Sequence, residues 1–306
     1  MPARDMQISL HQAVINAVMT KKPLLIVEGK DDLSIYHDLL NSNASKFNIK
    51  PIEHFKDCSP GCKEIETQVS IINENYGDGH KIYSFFRGVV DRDAKKFRNE
   101  LHAKNGLTYL QSYSFENSFV TRKSILSTVK LLTSVSSEQL TLNITDKMLE
   151  QINNQFIDFY YICLEALKNA VVNDYQGLVG FSQGYERFLY DKKMIQLLEL
   201  RKQDLDIFAK ENGITSDCII NMNDYCKGKW HLKYFLSSIQ DFINVLQECC
   251  GQQIPICPYC EVHDYDRCLY KPSINMNIEH VIKAIKNNIT NADLDYLRDE
   301  LLELVS

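Results

Sequence analysis

The chain has 306 residues, 44% of them hydrophobic and 24% charged, with only 12 Gly and 7 Pro, a composition that can bury a core and excludes disordered and collagen-like chains. Its longest apolar runs, around residues 24–29 and 87–91, fall short of the roughly 20 residues a membrane-spanning helix needs, so no membrane association is expected. The net charge is -6, yet residues 1–130 hold 18 Lys and Arg against 15 Asp and Glu and the remainder 16 against 25; a protein coated in basic surface is excluded, and a polyanion would find its host in the first part.

The first residues, with Asp5 and His11 where a secretory signal needs an apolar centre, read as an amphipathic helix of a cytoplasmic protein. Residues 23–29 (PLLIVEG) then read as a buried strand, and residues 30–42 as a helix with Leu33, Tyr36, Leu39 and Leu40 at helical spacing. A second strand is expected over 48–55, with Pro51 placing it at an edge or at a strand start. After the turn DCSPGC, Ile65, Val69 and Ile72 share one face of a helix that Gly77 and Gly79 break. The apolar stretch 81–91 and the short run 107–113 supply further strands. This alternation predicts an α/β fold with a mainly parallel sheet flanked by helices.

From about residue 125 the periodicity becomes helical, as in 157–172 and 192–210, and no strand is bounded before 215. The expected organisation is a core over 1–125 to which 216–245 returns, a helical insertion over 126–215, and a Cys-rich segment with C-terminal helices over 246–306. The tail combines a Thr290-to-Asp293 capping-box spacing with apolar Leu294, Leu297, Leu301 and Leu304, the pattern of a capped amphipathic helix.

Glu28 follows the first strand and Asp32 comes four residues later, while Asp91 and Asp93 follow the stretch ending in GVV. Open α/β sheets place their sites at the carboxyl edge of the strands, and residues two apart in an extended segment point the same way. Four acids there would repel one another unless a divalent cation neutralised them, and an all-oxygen set suits Mg2+ or Mn2+. A lone acid after a strand is usually a solvated cap; the paired pattern is more specific than either half.

LLIVEGKDD together with GVVDRD resembles the Toprim domain of topoisomerases, primases, recombination proteins and OLD-related nucleases, over roughly residues 22–120, with GKWHLKYF at 228–235 as a later piece. DCSPGCKEI, GVVDRDAKKF, SYSFENSFV and the late GK further resemble the standalone Toprim nucleases of bacterial anti-phage systems. The resemblance implies Glu28 as a general acid/base or metal-binding glutamate, Asp91 and Asp93 as a metal-binding pair, and Asp32 as a further carboxylate. Glu116, in SFENSF, is the next metal-binding candidate, or else a strand-end residue that caps the following helix with Asn117. Lys229 or Lys227 would set a cation against the developing phosphorane charge.

The implied activity is phosphodiester hydrolysis with one or two divalent ions. It would belong to a toxic endonuclease that acts as a homodimer on RNA, with tRNA favoured, after release by an ABC-type ATPase partner. None of the 16 Tyr stands out as a topoisomerase nucleophile, and the chain lacks room for gate domains. A DNA-nicking nuclease of the OLD type and a non-catalytic docking module stand as the alternatives, and the residues alone do not separate RNA from DNA.

Ten cysteines without a secretory signal read as reduced thiols or metal ligands. Cys257, Cys260, His263 and Cys268 have the spacing of a zinc set, or are ordinary thiols in a loop. Cys58 and Cys62 join no obvious cluster, and Cys249 and Cys250 read as packing residues. Arg87, Arg92, Lys95, Lys96 and Arg98 form a basic stripe that could track a phosphate backbone or be a solvated helix face. Trp230, Tyr234 and Phe235 could stack a splayed base or fill a core. Asp293, Asp295, Asp299, Glu300 and Glu303 mark an acidic outer face of the last helix, solvated or docked on a basic partner.

Overall fold

The computed structural model describes residues 7–215 and 217–306, and the chain divides into two units. The first unit holds the described part of Met1–Arg92 with Glu100–Gln111 and Leu294–Ser306; the second holds Asp93–Asn99 and Ser112–Asp293.

In the first unit, β1 (Leu24–Val27), β2 (Asn48–Pro51), β3 (Phe86–Val90) and β4 (Leu107–Tyr109) form one sheet in the order β2-β1-β3-β4, every pairing parallel. All four residues of β1 are buried, as expected for an inner strand of a parallel sheet covered on both faces. Pro51 lies on the edge strand, where its missing N–H costs no ladder bond. Helix α1 (Leu10–Thr20) begins at Ser9, whose Oγ accepts the Gln12 N–H while the Gln12 side chain accepts the Ser9 N–H, a reciprocal cap. Leu10 and Val14 of α1 join Ile26, Phe86, and Ile65 and Val69 of α3 (Cys62–Asn75) in a single core; α2 (Leu33–Leu40) adds buried Tyr36, Leu39 and Leu40. Gly88 lets α3 lie close on β3, because a Cβ there would stand 2.6 Å from Ile65 Cγ2.

The stretch 81–91 is shorter as a strand than its apolar content suggests: Lys81–Ser84 form a 3-10 turn and only Phe86–Val90 pair. The last helix, Asp295–Leu302, buries Leu297 and Leu301. Its expected capping box is absent, since the Thr290 N–H is taken by Asn288 Oδ1 at 3.2 Å in a separate turn, a local side-chain bond competing with the helix start. Glu300 does not belong to an outer acidic face, because it bonds Thr108 Oγ1 and lies 3.6 Å from Arg87 Nη1.

The second unit is built of helices: α4 (Arg122–Leu132), α5 (Leu142–Asn153), α6 (Ile157–Val171), α7 (Glu186–Leu189), α8 (Lys192–Glu211), α9 (Gly228–Leu246), α10 (Pro258–Glu261) and α11 (Ile278–Lys286). Helix α9 packs on α4, α5 and α11. Its buried residues, among them Trp230, His231, Leu232, Phe235, Leu236 and Ile239, cover most of its circumference, and a helix apolar on so wide an arc belongs inside a helical layer. The expected boundaries are corrected accordingly: 216–245 stays with the helical unit, and it is the tail from Leu294 that returns to the sheet unit.

Trp230, Tyr234 and Phe235 are core residues, 5%, 8% and 0% exposed. The Trp230 indole N–H donates to Gln183 O at 3.0 Å, and Tyr234 stacks on Phe159 at 4.1 Å between ring centroids, so none of the three offers a face to a base. Helices α6 and α8 are tied by the fully buried Glu165 carboxylate, which accepts from Arg201 Nη1 at 2.6 Å, Tyr175 OH at 2.8 Å and the Leu178 N–H at 2.7 Å. Among the described residues, no helix is long and apolar enough to cross a membrane.

Candidate functional site

β1 and β3 are parallel neighbours, so their carboxyl ends open on the same sheet edge, and the residues that leave them there are Glu28 and Asp91. Glu28 is the first residue past β1; the 3-10 turn Lys30–Asp32 follows, and the Asp32 carboxylate reaches back to accept the Gly29 N–H at 3.0 Å. This bond fixes the entry into α2. Asp91 is the first residue past β3, and its N–H points at Glu28 Oε1 at 3.3 Å and at Cys62 Sγ at 3.1 Å.

Cys62 arrives by a route the sequence did not disclose. The turn DCSPGC ends at Gly61, whose φ of 112° is open to glycine at little cost and whose N–H donates to Glu28 O at 3.2 Å. Helix α3 starts one residue later, and its first side chain, Cys62, donates its S–H to Glu28 Oε1. Cys62 therefore belongs to the acid group, against the expectation that it joins no cluster. Both hydrogen bonds to the Glu28 side chain fall on Oε1, leaving Oε2 without a partner among the described residues.

Tyr36 was also read from the sequence as a helix-face residue only. It is 5% exposed, and its phenol is pushed well above the ordinary tyrosine range, first by burial and then by the negative charges of Asp32 and Asp91, with Tyr296 and Glu28 adding to them. A permanently neutral phenol thus stands among three carboxylates. The signal was present as Asp32 and Tyr36 four apart, one helical turn, on a segment led by Glu28.

The structure brings Glu28 and Asp91 together, and Asp32 shares with them only an electrostatic effect on the buried Tyr36 phenol; among the described residues the three acids do not form a group able to hold a metal as the four cysteines described below do. Asp93, Glu116 and Lys229 belong to the second unit, each in its own setting. Asp93 sits at φ 49° with its N–H donated to Tyr113 O at 2.7 Å. Glu116 accepts from Ser114 Oγ at 3.3 Å and lies 3.6 Å from Lys286 Nζ. Lys229 is exposed on the first turn of α9, whereas Lys227 donates to Phe181 O at 2.6 Å. The basic stripe is not an open track for phosphates: Arg92 is only 8% exposed, Lys96 pairs with Asp224 at 2.7 Å and Arg98 donates to Ala170 O at 3.2 Å. Lys96 and Arg98 remain exposed, but each is tied to a group of the fold.

The SFENSF turn and the GK start of α9 meet in the second unit through buried polar groups. A Cβ on Gly228 would fall on Ser114 Oγ, so only glycine permits this approach. Asn117 Oδ1 accepts the Ser114 N–H at 2.9 Å, and its Nδ2 donates to Cys226 O and toward His231 Nδ1, both at 3.0 Å. His231 Nε2 lies 2.7 Å from Ile219 O. A carbonyl only accepts, so Nε2 carries the proton and Nδ1 accepts from Asn117. Burial lowers the His231 pKa to about 4, against a smaller raising effect of Ile219 O, and the ring is neutral at neutral pH.

A second cluster of donors lies in the same unit. The Sγ atoms of Cys250, Cys257, Cys260 and Cys268 lie within 4.8 Å of one another, with Cys257, Cys260 and Cys268 buried. Such a group could bind a structural metal such as Zn2+. The sequence-based set is corrected at one position. His263 is exposed and its Nδ1 is hydrogen-bonded with Tyr265 OH at 2.9 Å, while Cys250, read as a packing residue, supplies the fourth ligand atom. Cys250 comes from the turn that follows α9, seven residues before the C-x-x-C, and spacing alone did not pair them.

Chemically, the first unit offers hard oxygen donors with one carboxylate oxygen open, and the second offers four soft sulfurs. Compared with protein-family models and with curated proteins, the chain matches none.

Proposed function

We propose that the protein is a metal-dependent Toprim-like endonuclease, with Glu28 and Asp91 at the centre of phosphodiester hydrolysis. The observation that carries this reading is the Glu28 carboxylate at the carboxyl edge of β1, anchored through Oε1 by the Asp91 N–H and the Cys62 thiol while Oε2 stays open. A carboxylate fixed at one oxygen presents the other in a defined direction, the arrangement a proton-transfer group or a cation ligand needs. Tyr36, held neutral by burial and surrounding charge, keeps a phenolic proton beside Asp32 and Asp91.

The oxygen donors of Glu28, Asp32 and Asp91 suit Mg2+ or Mn2+, and the open Glu28 oxygen fits such an ion. When bound, it would neutralise the acids and stabilise charge on the scissile phosphate. The Toprim resemblance also implies metal-binding roles for Asp93 and Glu116 and a cationic role for Lys229, which lie in the second unit. With Arg92 buried, exposed Lys229 is the better candidate for backbone contact. The favoured substrate is RNA, tRNA above all, with toxicity restrained by an ABC-type ATPase partner and activity in a homodimer. Sequencing RNA and DNA ends from cells briefly expressing the wild type or Asp91→Asn tests the reading. New RNA ends concentrated in tRNA and absent with the variant are expected; nicks in DNA alone would transfer the activity to the OLD type, and no new ends in either nucleic acid would overturn it.

A further inference from the structure

We infer that the second unit carries a structural zinc ion held by Cys250, Cys257, Cys260 and Cys268. This site is independent of the nuclease reading, since all four ligands lie outside the sheet unit that bears Glu28 and Asp91.

Zn–S bonds of about 2.3 Å directed to the corners of a tetrahedron set sulfurs roughly 3.8 Å apart. Here Cys257 Sγ and Cys268 Sγ are 3.9 Å apart, and all four sulfurs fall within 4.8 Å of one another. The backbone is arranged for thiolates as well. The Cys257 N–H donates to Cys250 Sγ at 3.2 Å and the Cys260 N–H to Cys257 Sγ at 3.5 Å. Pro258 opens the single turn of α10, and Cys257 stands as its N-cap, so the C-x-x-C curls its two sulfurs toward one point. Amide donors aimed at sulfur stabilise negative charge there.

Four soft sulfurs in a closed, mostly buried set select Zn2+ over the hard cations. Coordination replaces each S–H bond with a Zn–S bond and releases four protons to solvent. A closed set of four protein ligands leaves no position for water, so the role is structural rather than catalytic.

The ion's mechanical effect follows from what the cluster joins. Cys250 follows the 3-10 turn Gln247–Cys249 that ends α9. Beyond Cys268 the chain is sewn to the end of α4: the Ser134 N–H donates to Leu269 O at 3.1 Å, the Ser273 N–H donates to Leu132 O at 2.9 Å, and Thr133 bridges Pro272. Between these seams, Tyr270 is fully buried. Zinc therefore staples the loop 250–268 to itself and, through these seams, holds the ends of α9 and α4 in register.

The test is metal analysis of the purified full chain, grown without added metal and dialysed. About one zinc per chain is expected, released in full when an organomercurial titrates the thiols. Co2+ exchanged into the site should give the strong visible bands of a tetrahedral tetrathiolate centre. Cys250→Ser should lower zinc content at least several-fold, while His263→Ala leaves it unchanged. Should Cys250→Ser fail to fold, the cobalt spectrum of the wild type and the zinc content of His263→Ala still decide. Iron in place of zinc, four alkylatable thiols with no metal, paired disulfides, or loss of zinc in His263→Ala would each overturn the assignment.

Discussion

The two units hold their polar groups by opposite means. In the sheet unit, the acids sit one residue past the ends of β1 and β3, and the parallel pairing of these strands is enough to bring them to one edge. In the helical unit, the polar groups meet across long stretches of chain: Asn117 with His231, Glu165 with Arg201, and Cys250 with Cys268. A site of the first kind is positioned by backbone topology and tolerates exposure. The second kind is positioned by side-chain packing and depends on burial.

The comparison breaks most visibly at Asp91. Asp91→Asn keeps the N–H that anchors Glu28 and removes the carboxylate charge, so activity should fall roughly 10^3-fold, far more than the melting temperature changes. A matched loss of stability would show that the acids of the sheet unit are structural. Glu165→Leu makes the opposite case, for it strands the Arg201 guanidinium, the Tyr175 hydroxyl and the Leu178 N–H. On the order of 3 to 4 kcal/mol of stability should be lost, read by urea unfolding. A loss below about 1 kcal/mol would mean that the buried carboxylate does not hold α6 to α8.

Acid sharpens the same contrast. The His231 pKa is lowered to about 4 in the folded protein, chiefly by burial, against an ordinary value of 6.5. Its contribution is therefore complete above pH 6.5, where neither state is protonated. It declines as pH falls from 6.5 to about 4, because the unfolded chain takes the proton first. The decline should amount to roughly 3 kcal/mol. A protonated Nδ1 would also face the Asn117 amide donor. His231→Gln should flatten this part of the stability–pH curve; an unaltered slope would remove His231 from the account.

The readable part of the molecule is the part that depends on period and on strand ends. The apolar run at 24–27, the Ile65, Val69 and Ile72 face, and Pro51 at an edge were all legible because each is a local pattern with one physical solution. The second strand ended earlier than its apolar content suggested, since Ile52–His54 leave the ladder as a 3-10 turn. The place of α9 was not legible: GKWHLKYF marks a buried helix, and nothing in it says which unit buries it. The placement of Glu28 and Asp91 just past two strands was legible, with Asp32 at the entry to the following helix. Cys62 was not, because its role depends on the path of the DCSPGC turn, and Tyr36 left only its four-residue spacing from Asp32, since its place also depends on the rotation of α2. Arg92, read as part of a phosphate-tracking stripe or of a solvated face, is buried, and a basic residue between two acids gives no sign of that. The same limit produced His263 in place of Cys250.

Two smaller effects probe the joints. Gly88→Ala forces a methyl against Ile65 Cγ2 and should cost roughly 2 kcal/mol by overpacking, measured by thermal melting; no change would mean that α3 can shift freely on β3. Cys62→Ser keeps a donor to Glu28 Oε1 and should alter turnover less than about tenfold, whereas Cys62→Val, which removes the donor, should lower turnover further. Equal turnover in Cys62→Ser and Cys62→Val would separate the thiol from the Glu28 carboxylate.

In the proposed chemistry of the sheet edge, Glu28 is held by one oxygen and acts through the other, a role open to direct test. It is tested most directly by initial rates of cleavage of a tRNA by the purified full chain and by Glu28→Gln, each with Mg2+ or with excess EDTA, at matched folded fractions. Glu28→Gln retains the oxygen that accepts from Asp91 and Cys62, so the fold and the anchoring bonds survive. The account predicts cleavage by the wild type with Mg2+, none with EDTA, and a loss of roughly 10^3-fold in Glu28→Gln. Cleavage that persists in EDTA, or a Glu28→Gln variant as fast as the wild type, would contradict it.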